Sequence, residues 1–172
     1  MRKVYKYLLI VLLIVLQTTL FRFIDIFGVK PDAAFIVVLS FSLLNGSWEA
    51  IYLSLFAGLI QDILFNNALG VTTFSLLIVS YITGLLSKSV FKESSFVAFV
   101  FVFLGTLLYN LITMFSMVLM KYEFNFLSDF MNVAMIQAVY NSVITAFAYR
   151  YLVSFNRYVN ENKVNFFRKS KF

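Results

Sequence analysis

The stretch GLIQDILFNNALG, residues 58–70, places a carboxylate near the end of a long apolar run. Asp62 is followed by two asparagines and then by Gly70, a composition typical of a turn. An aspartate in hydrocarbon is costly, so it needs a partner or a function. The stretch therefore predicts a helix that ends near a membrane surface and carries an acidic side chain there.

The composition of the whole chain requires a lipid environment. Of its 172 residues, 62% are hydrophobic and 13% are charged, and its mean hydropathy is +0.90. A soluble domain is typically about 45–50% apolar and about 25% charged. A soluble core of this size could not bury that much apolar surface, so most of it must face lipid.

Two absences exclude much catalytic and metal chemistry. The chain contains neither Cys nor His, which rules out the usual zinc ligands, a thiolate nucleophile and a Ser-His pair. The eight acidic residues are scattered along the sequence. We therefore expect a protein that is not an enzyme and has no catalytic residue, metal site or cofactor.

Apolar runs predict an all-α, polytopic bundle of six helices in a single transmembrane domain. The longest run, from Ala33 to Phe65, would form a helix about 50 Å long, whereas a hydrocarbon core is about 30 Å thick. The turn-forming sequence NGSWE at 45–49 divides it. Its first half is short, about 18 Å, and either begins earlier or spans incompletely. The expected spans are 5–21, 32–44, 48–65, 71–87, 96–120 and 130–155, followed by a basic tail over 156–172.

The distribution of Lys and Arg predicts that both termini are cytoplasmic. With six spans, three cations face outward, namely Arg22, Lys30 and Lys121, and the other eleven of the 14 face the cytoplasm. This is a strong positive-inside bias, and an odd number of spans would place one basic terminus on the wrong side. The net charge of +6 is then an orientation signal, and we expect no binding of nucleic acid. The cations expected at the lipid headgroups are Arg157, Lys163, Arg168, Lys169 and Lys171.

Small and polar residues recur at helical spacing inside the expected spans. Ser54, Gly58 and Asp62 share one face of the third span, because they lie four residues apart. Such stripes either pack the bundle or form a groove for a helix of another protein, and their spacing alone does not separate these alternatives. The candidates for partner binding or bundle packing are Gln17, Ser54, Gly58, Asp62, Gly70, Gln137 and Asn141.

Three roles are open for Asp62, which lies about 21 Å beyond Trp48 along the helix and so near the outer face. Its carboxylate could accept hydrogen bonds from the turn or from the N-terminus of the next helix. It could instead pair with Arg22, Lys30 or Lys121. A proton or cation site is the third alternative.

The order of three motifs resembles the MreD family of bacterial rod shape-determining membrane proteins. These motifs are LQTTL at 16–20, KPD at 30–32 and AGLIQDILFNNALGV at 57–71. Gly58, Asp62, Leu69 and Gly70 match the family pattern of a glycine, an acid, a polar turn and Leu-Gly. The chain departs from some relatives in lacking a proline in the last span.

The resemblance implies a membrane scaffold of the cell-elongation machinery. Such a subunit would associate with the single-pass protein MreC and, through it, with the wall polymerase and transpeptidase outside and the MreB cytoskeleton inside. The family bundle is also similar to the six-helix substrate-binding subunits of energy-coupling-factor transporters. A vitamin-type transport subunit is therefore the alternative, although the first span lacks the AxxxA signature of that class. Lipid handling by the Phe-rich faces is a third hypothesis.

Overall fold

The computed structural model describes residues 4–19, 29–65, 70–120 and 133–160, and within these ranges the protein is a helical bundle. The expected all-α class is confirmed. A short 3-10 turn, Ser87–Ser89, extends the fourth helix. The six α-helices of the described residues are α1 (Val4–Thr19), α2 (Ala33–Asn45), α3 (Ser47–Phe65), α4 (Val71–Leu86), α5 (Ser95–Leu119) and α6 (Met135–Asn160).

Three of the six helices are long and apolar enough to cross a membrane, counted over the described ranges. They are α3, α4 together with its 3-10 turn, and α5. The helices α1 and α2 are apolar but shorter, with 16 and 13 residues. The helix α6 has 26 residues and extends through Asn160, five residues beyond the end of the expected span.

The shortest helix, α2, is the central element of the bundle. Every residue from Ala34 to Leu43 is buried, and α2 packs against α1, α3, α4, α5 and α6. Its neighbours shield it from lipid, so its length need not match the thickness of the hydrocarbon core. Asp32 caps its N-terminus by accepting a hydrogen bond of 2.9 Å from the Phe35 N–H.

The helices α3 and α4 form a close antiparallel hairpin with a glycine contact near each end. A Cβ atom on Gly58 of α3 would lie 2.5 Å from the Thr73 Cα, and one on Gly84 of α4 would lie 2.6 Å from the Ser47 Cα. Both distances are far shorter than real Cβ contacts, so only glycine permits this approach. Close backbone approach at small residues is how helices associate in lipid, where the hydrophobic effect does not drive them together.

The alternating helix directions give the bundle two polar ends, which we name after Asp62 and Lys6. The Asp62 end contains the C-termini of α1, α3 and α5 and the N-termini of α2, α4 and α6. At the Lys6 end, the Lys6 Nζ of α1 donates to the Asn156 Oδ1 of α6 over 2.7 Å. The first and last described helices therefore have their outer termini, Val4 and Asn160, at the same end of the bundle.

Candidate functional site

The Asp62 carboxylate joins the end of α3 to the start of α4. It is 1% exposed and accepts hydrogen bonds of 3.0 Å from the N–H groups of Gly70, Thr72 and Thr73. The Thr73 hydroxyl donates to it over 2.5 Å. An anion is favourable here because the first N–H groups of a helix lack partners and carry partial positive charge. This is the first of the three roles considered for Asp62.

Gly70 makes this arrangement possible. It lies directly before α4 with a φ of +96°, in the left-handed region. That conformation suits glycine and is strained for residues with a side chain. With this φ angle, the backbone N–H groups of Gly70, Thr72 and Thr73 all point at the Asp62 carboxylate.

A second acid, Asp32, forms the centre of a polar network beside this cap. The Gln61 Nε2 donates to the Asp32 Oδ1 over 2.9 Å, and the Gln17 side chain also interacts with this carboxylate. The Asp32 N–H donates to the Asn141 Oδ1 over 3.0 Å. Side chains from α1, α3 and α6 thus meet at the N-terminus of the central helix.

A cavity of about 400 Å³ lies in this network at the Asp62 end. Its volume is within the range of ordinary small-ligand sites. In the part of the chain that the structure describes, two of its lining side chains, Gln17 and Gln61, each contain a buried Oε1 atom that lacks a hydrogen-bond partner. The described residues that line it are Gln17, Thr18, Lys30, Asp32, Gln61, Phe65, Thr72 and Tyr109.

The polar residues of α5 and α6 bind one another. The Asn110 Nδ2 donates to the Gln137 Oε1 over 2.8 Å, and the Asn141 Nδ2 donates to the Thr106 Oγ1 over 3.3 Å. Gln137 also donates weakly to the Lys30 carbonyl, over 3.4 Å. These contacts connect the two helices within the bundle.

The Lys6 end carries a separate buried network. Lys6 is 1% exposed, pairs with Glu49 of α3 and lies 4.9 Å from the centre of the Phe41 ring. The Asn156 Nδ2 donates to the Asn45 Oδ1 over 3.1 Å. A buried Lys needs such partners, because its charge cannot be solvated there. This network also explains why α6 continues beyond the end of its apolar run.

The candidate residues from the sequence fall into four groups. Gln17, Gly70 and Gln137 lie at the Asp62 end and are half-buried or exposed. Ser54, Gly58, Asp62 and Asn141 are buried among helices of this chain, and Ser54 bonds only within α3 among the contacts seen, to the Ile51 carbonyl. Arg157 is exposed and pairs with the exposed Glu93, an arrangement that contributes little to stability. Lys163, Arg168, Lys169 and Lys171 lie outside the described residues.

Sequence reasoning missed several of the residues that the structure places in these networks. Asp32 was quoted only within a motif, and Tyr109, Asn45, Asn156 and Lys6 were not singled out as polar contacts. One signal was present: Asn156 and Asn160 lie four residues apart just beyond the apolar run, and both donate to the Asn45 Oδ1.

One comparison with known proteins identifies the chain. The family model described as rod shape-determining protein MreD matches residues 1–159, which extends from before α1 almost to the end of α6. The comparisons with curated proteins and with solved structures found no match.

Proposed function

The chain belongs to the MreD family of rod shape-determining proteins, and we propose that it is a scaffold which holds a single-pass MreC-type protein in the elongation machinery. The family match carries this proposal. It makes the chain a multi-pass membrane protein with a role in rod-shape determination and without enzymatic activity. Through the MreC-type partner, the scaffold would act on the wall polymerase and transpeptidase and on the MreB cytoskeleton.

The helix layout supports recognition within the membrane. The segments between the helices are far too short to form a docking domain of their own. The small and polar candidates Ser54, Gly58, Asp62 and Asn141 are buried, so we assign them to bundle packing. A partner helix must instead contact the lipid-facing side chains.

An apolar groove between α4 and α5 is the surface that we propose for the partner helix. Its volume is about 170 Å³, and its Leu104 and Ile82 side chains are 59% and 39% exposed. Lipid tails are as apolar as Leu, so shape complementarity rather than hydrophobicity selects a helix in the bilayer. A groove supplies that complementarity. The remaining lining residues are Val79, Thr83, Leu86, Val100, Phe101, Gly105 and Leu108.

Filling the groove should weaken capture of the partner. We expect Leu104→Trp to lower the amount of single-pass partner that co-purifies from native membranes by at least about tenfold, which corresponds to about 1.4 kcal/mol. The matched control is Leu12→Trp on α1, because Leu12 is 55% exposed and does not line the groove. Equal capture by the two variants would place the binding surface elsewhere.

We also propose that the Lys6 end faces the cytoplasm. The positive-inside rule supports this orientation, since Lys6, Lys88 and Arg157 lie near helix termini at that end and Lys92 lies in the segment that precedes α5. Cytoplasmic Arg157 and the tail cations Lys163, Arg168, Lys169 and Lys171 would then lie at anionic lipid headgroups. A reporter that works only in the cytoplasm should be active when it is fused to either terminus. A reporter that works only in the periplasm should be inactive at both termini. Activity of a periplasmic reporter at one terminus would refute this orientation.

A further inference from the structure

The cavity at the Asp62 end contains an unused set of hydrogen-bond acceptors. The Gln61 side chain is buried, with 4% of its surface exposed. Its amide nitrogen donates to the Asp32 Oδ1, and its amide oxygen is the atom that lies on the other side of the amide group. This Oε1 atom and that of Gln17 have no hydrogen-bond partner in the described part of the chain, and the proposed scaffold role uses neither.

Asp32 also lacks a cationic partner among the described residues. Its carboxylate is buried and accepts hydrogen bonds from the Phe35 N–H and from Gln61. Among the described residues, neither of the two ion pairs includes Asp32. A buried carboxylate strongly favours a nearby cation. Lys30 lines the same cavity but is itself exposed.

These acceptors suit one chemical group. A primary ammonium carries three N–H donors, no acceptor and one positive charge. It would give one donor to each unpartnered amide oxygen and a third to the Asp32 carboxylate, whose charge it would balance. A hydroxyl offers one donor and an amide two, and neither carries charge. A quaternary ammonium carries the charge without any donor.

We propose that this cavity binds a primary ammonium group, presented either by an aminophospholipid headgroup or by a small soluble amine. The volume of about 400 Å³ accommodates either ligand. In the lipid case, the exposed Lys30 at the same cavity would face the phosphate next to the ammonium. The proposal does not depend on the scaffold role, because it rests on the cavity alone.

The test compares ligands that carry the same positive charge on a nitrogen bearing either three N–H donors or three methyl groups. Purified protein is exchanged into bilayers of phosphatidylethanolamine or phosphatidylcholine with identical acyl chains, and the lipid retained after extraction is counted by native mass spectrometry. Ethanolamine and choline are compared in parallel for thermal stabilisation of the detergent-solubilised protein. We expect at least about tenfold preference for the primary amine in one of the two comparisons.

Two variants link the preference to the cavity. Asp32→Asn removes the charge and keeps a good N-cap for α2. Gln17→Leu removes an oxygen that has no partner, together with the interaction of Gln17 with Asp32, and thermal unfolding checks that the variant still folds. The control is Ser80→Ala, whose hydroxyl bonds only its own helix among the contacts seen and does not line the cavity.

Each result supports or overturns the proposal. A preference for phosphatidylethanolamine that both cavity variants lose and the control keeps supports a lipid ligand. A preference for ethanolamine alone, with the same variant pattern, supports a soluble amine. Equal binding of primary and quaternary amines in both comparisons overturns the proposal, as does a preference that folded Asp32→Asn and Gln17→Leu proteins retain.

Discussion

Replacing Asp62 with alanine is expected to lower the free energy of unfolding by about 3–5 kcal/mol, because each buried donor left without an acceptor costs about 1–3 kcal/mol. Three backbone N–H groups at the start of α4 and the Thr73 hydroxyl donate to this carboxylate. Without it, the joint between α3 and α4 loses its hydrogen bonds and its favourable charge. Unfolding of the purified protein in detergent, by heat or by SDS, measures the change.

An exposed carboxylate supplies the control for this experiment. Glu93 is 65% exposed and pairs with Arg157, so Glu93→Gln should change the unfolding free energy by less than about 1 kcal/mol. Asp62→Asn should fall between the two, since the amide keeps one acceptor and directs its own N–H groups at other donors. If Asp62→Ala were as stable as Glu93→Gln, the carboxylate would not be holding the two helices together.

Replacing Gly58 with alanine is expected to separate α3 and α4. The new methyl group would lie 2.5 Å from the Thr73 Cα, which is backbone and cannot rotate away. Overpacking in a well-packed interior costs about 1–3 kcal/mol and occasionally more. The effect should lie at the upper end here, because moving Thr73 also lengthens its hydrogen bonds to Asp62. Leucine at this position should prevent accumulation of folded protein.

Gly105 offers a matched control for the glycine contact. A Cβ atom there would also approach another atom to 2.5 Å, but that atom is the Leu39 Cδ2 at the end of a flexible side chain. Gly105→Ala should therefore be clearly milder than Gly58→Ala when both are unfolded under the same conditions. If the two variants lost the same free energy of unfolding, the requirement for glycine at position 58 would have a cause other than the nearby Thr73 backbone.

The local role of Asp62 could be inferred from the sequence because all of its parts are contiguous. The acid, the polar turn, Gly70 and the start of the next helix lie within 58–73. Hydrogen bonding to a helix N-terminus was accordingly one of the roles considered. The resemblance to MreD rested on this stretch together with LQTTL at 16–20 and KPD at 30–32, and the match over residues 1–159 confirms it.

The network around Asp32 could not be inferred in this way. Gln17, Gln61 and Asn141 belong to α1, α3 and α6, and nothing in their spacing specifies which helices are neighbours. Their meeting point depends on α2 being central, which follows from packing of the whole bundle. The cavity, formed between side chains distant in sequence, has no linear signature.

The short second span shows what apolar runs do and do not predict. Its length was expected, and α2 indeed has 13 residues. The expectation that it begins earlier or spans incompletely rested on its length of about 18 Å. In the bundle, its side chains from Ala34 to Leu43 are buried by other helices, so hydropathy could not report its surroundings. The sequence pattern distinguishes apolar from polar surroundings. It does not distinguish a protein interior from lipid, because both are apolar.

Photo-crosslinking in native membranes tests most directly whether this bundle holds another protein within the bilayer. A photoreactive residue replaces Leu104 in the groove, Leu12 on α1 or the buried Leu53 of α3, and the captured protein is identified by mass spectrometry. We predict that the Leu104 probe captures a single-pass cell-wall synthesis protein, while the Leu12 and Leu53 probes do not. Capture of an ATPase-coupled transport subunit, or of lipid alone at Leu104, would contradict the scaffold that we propose.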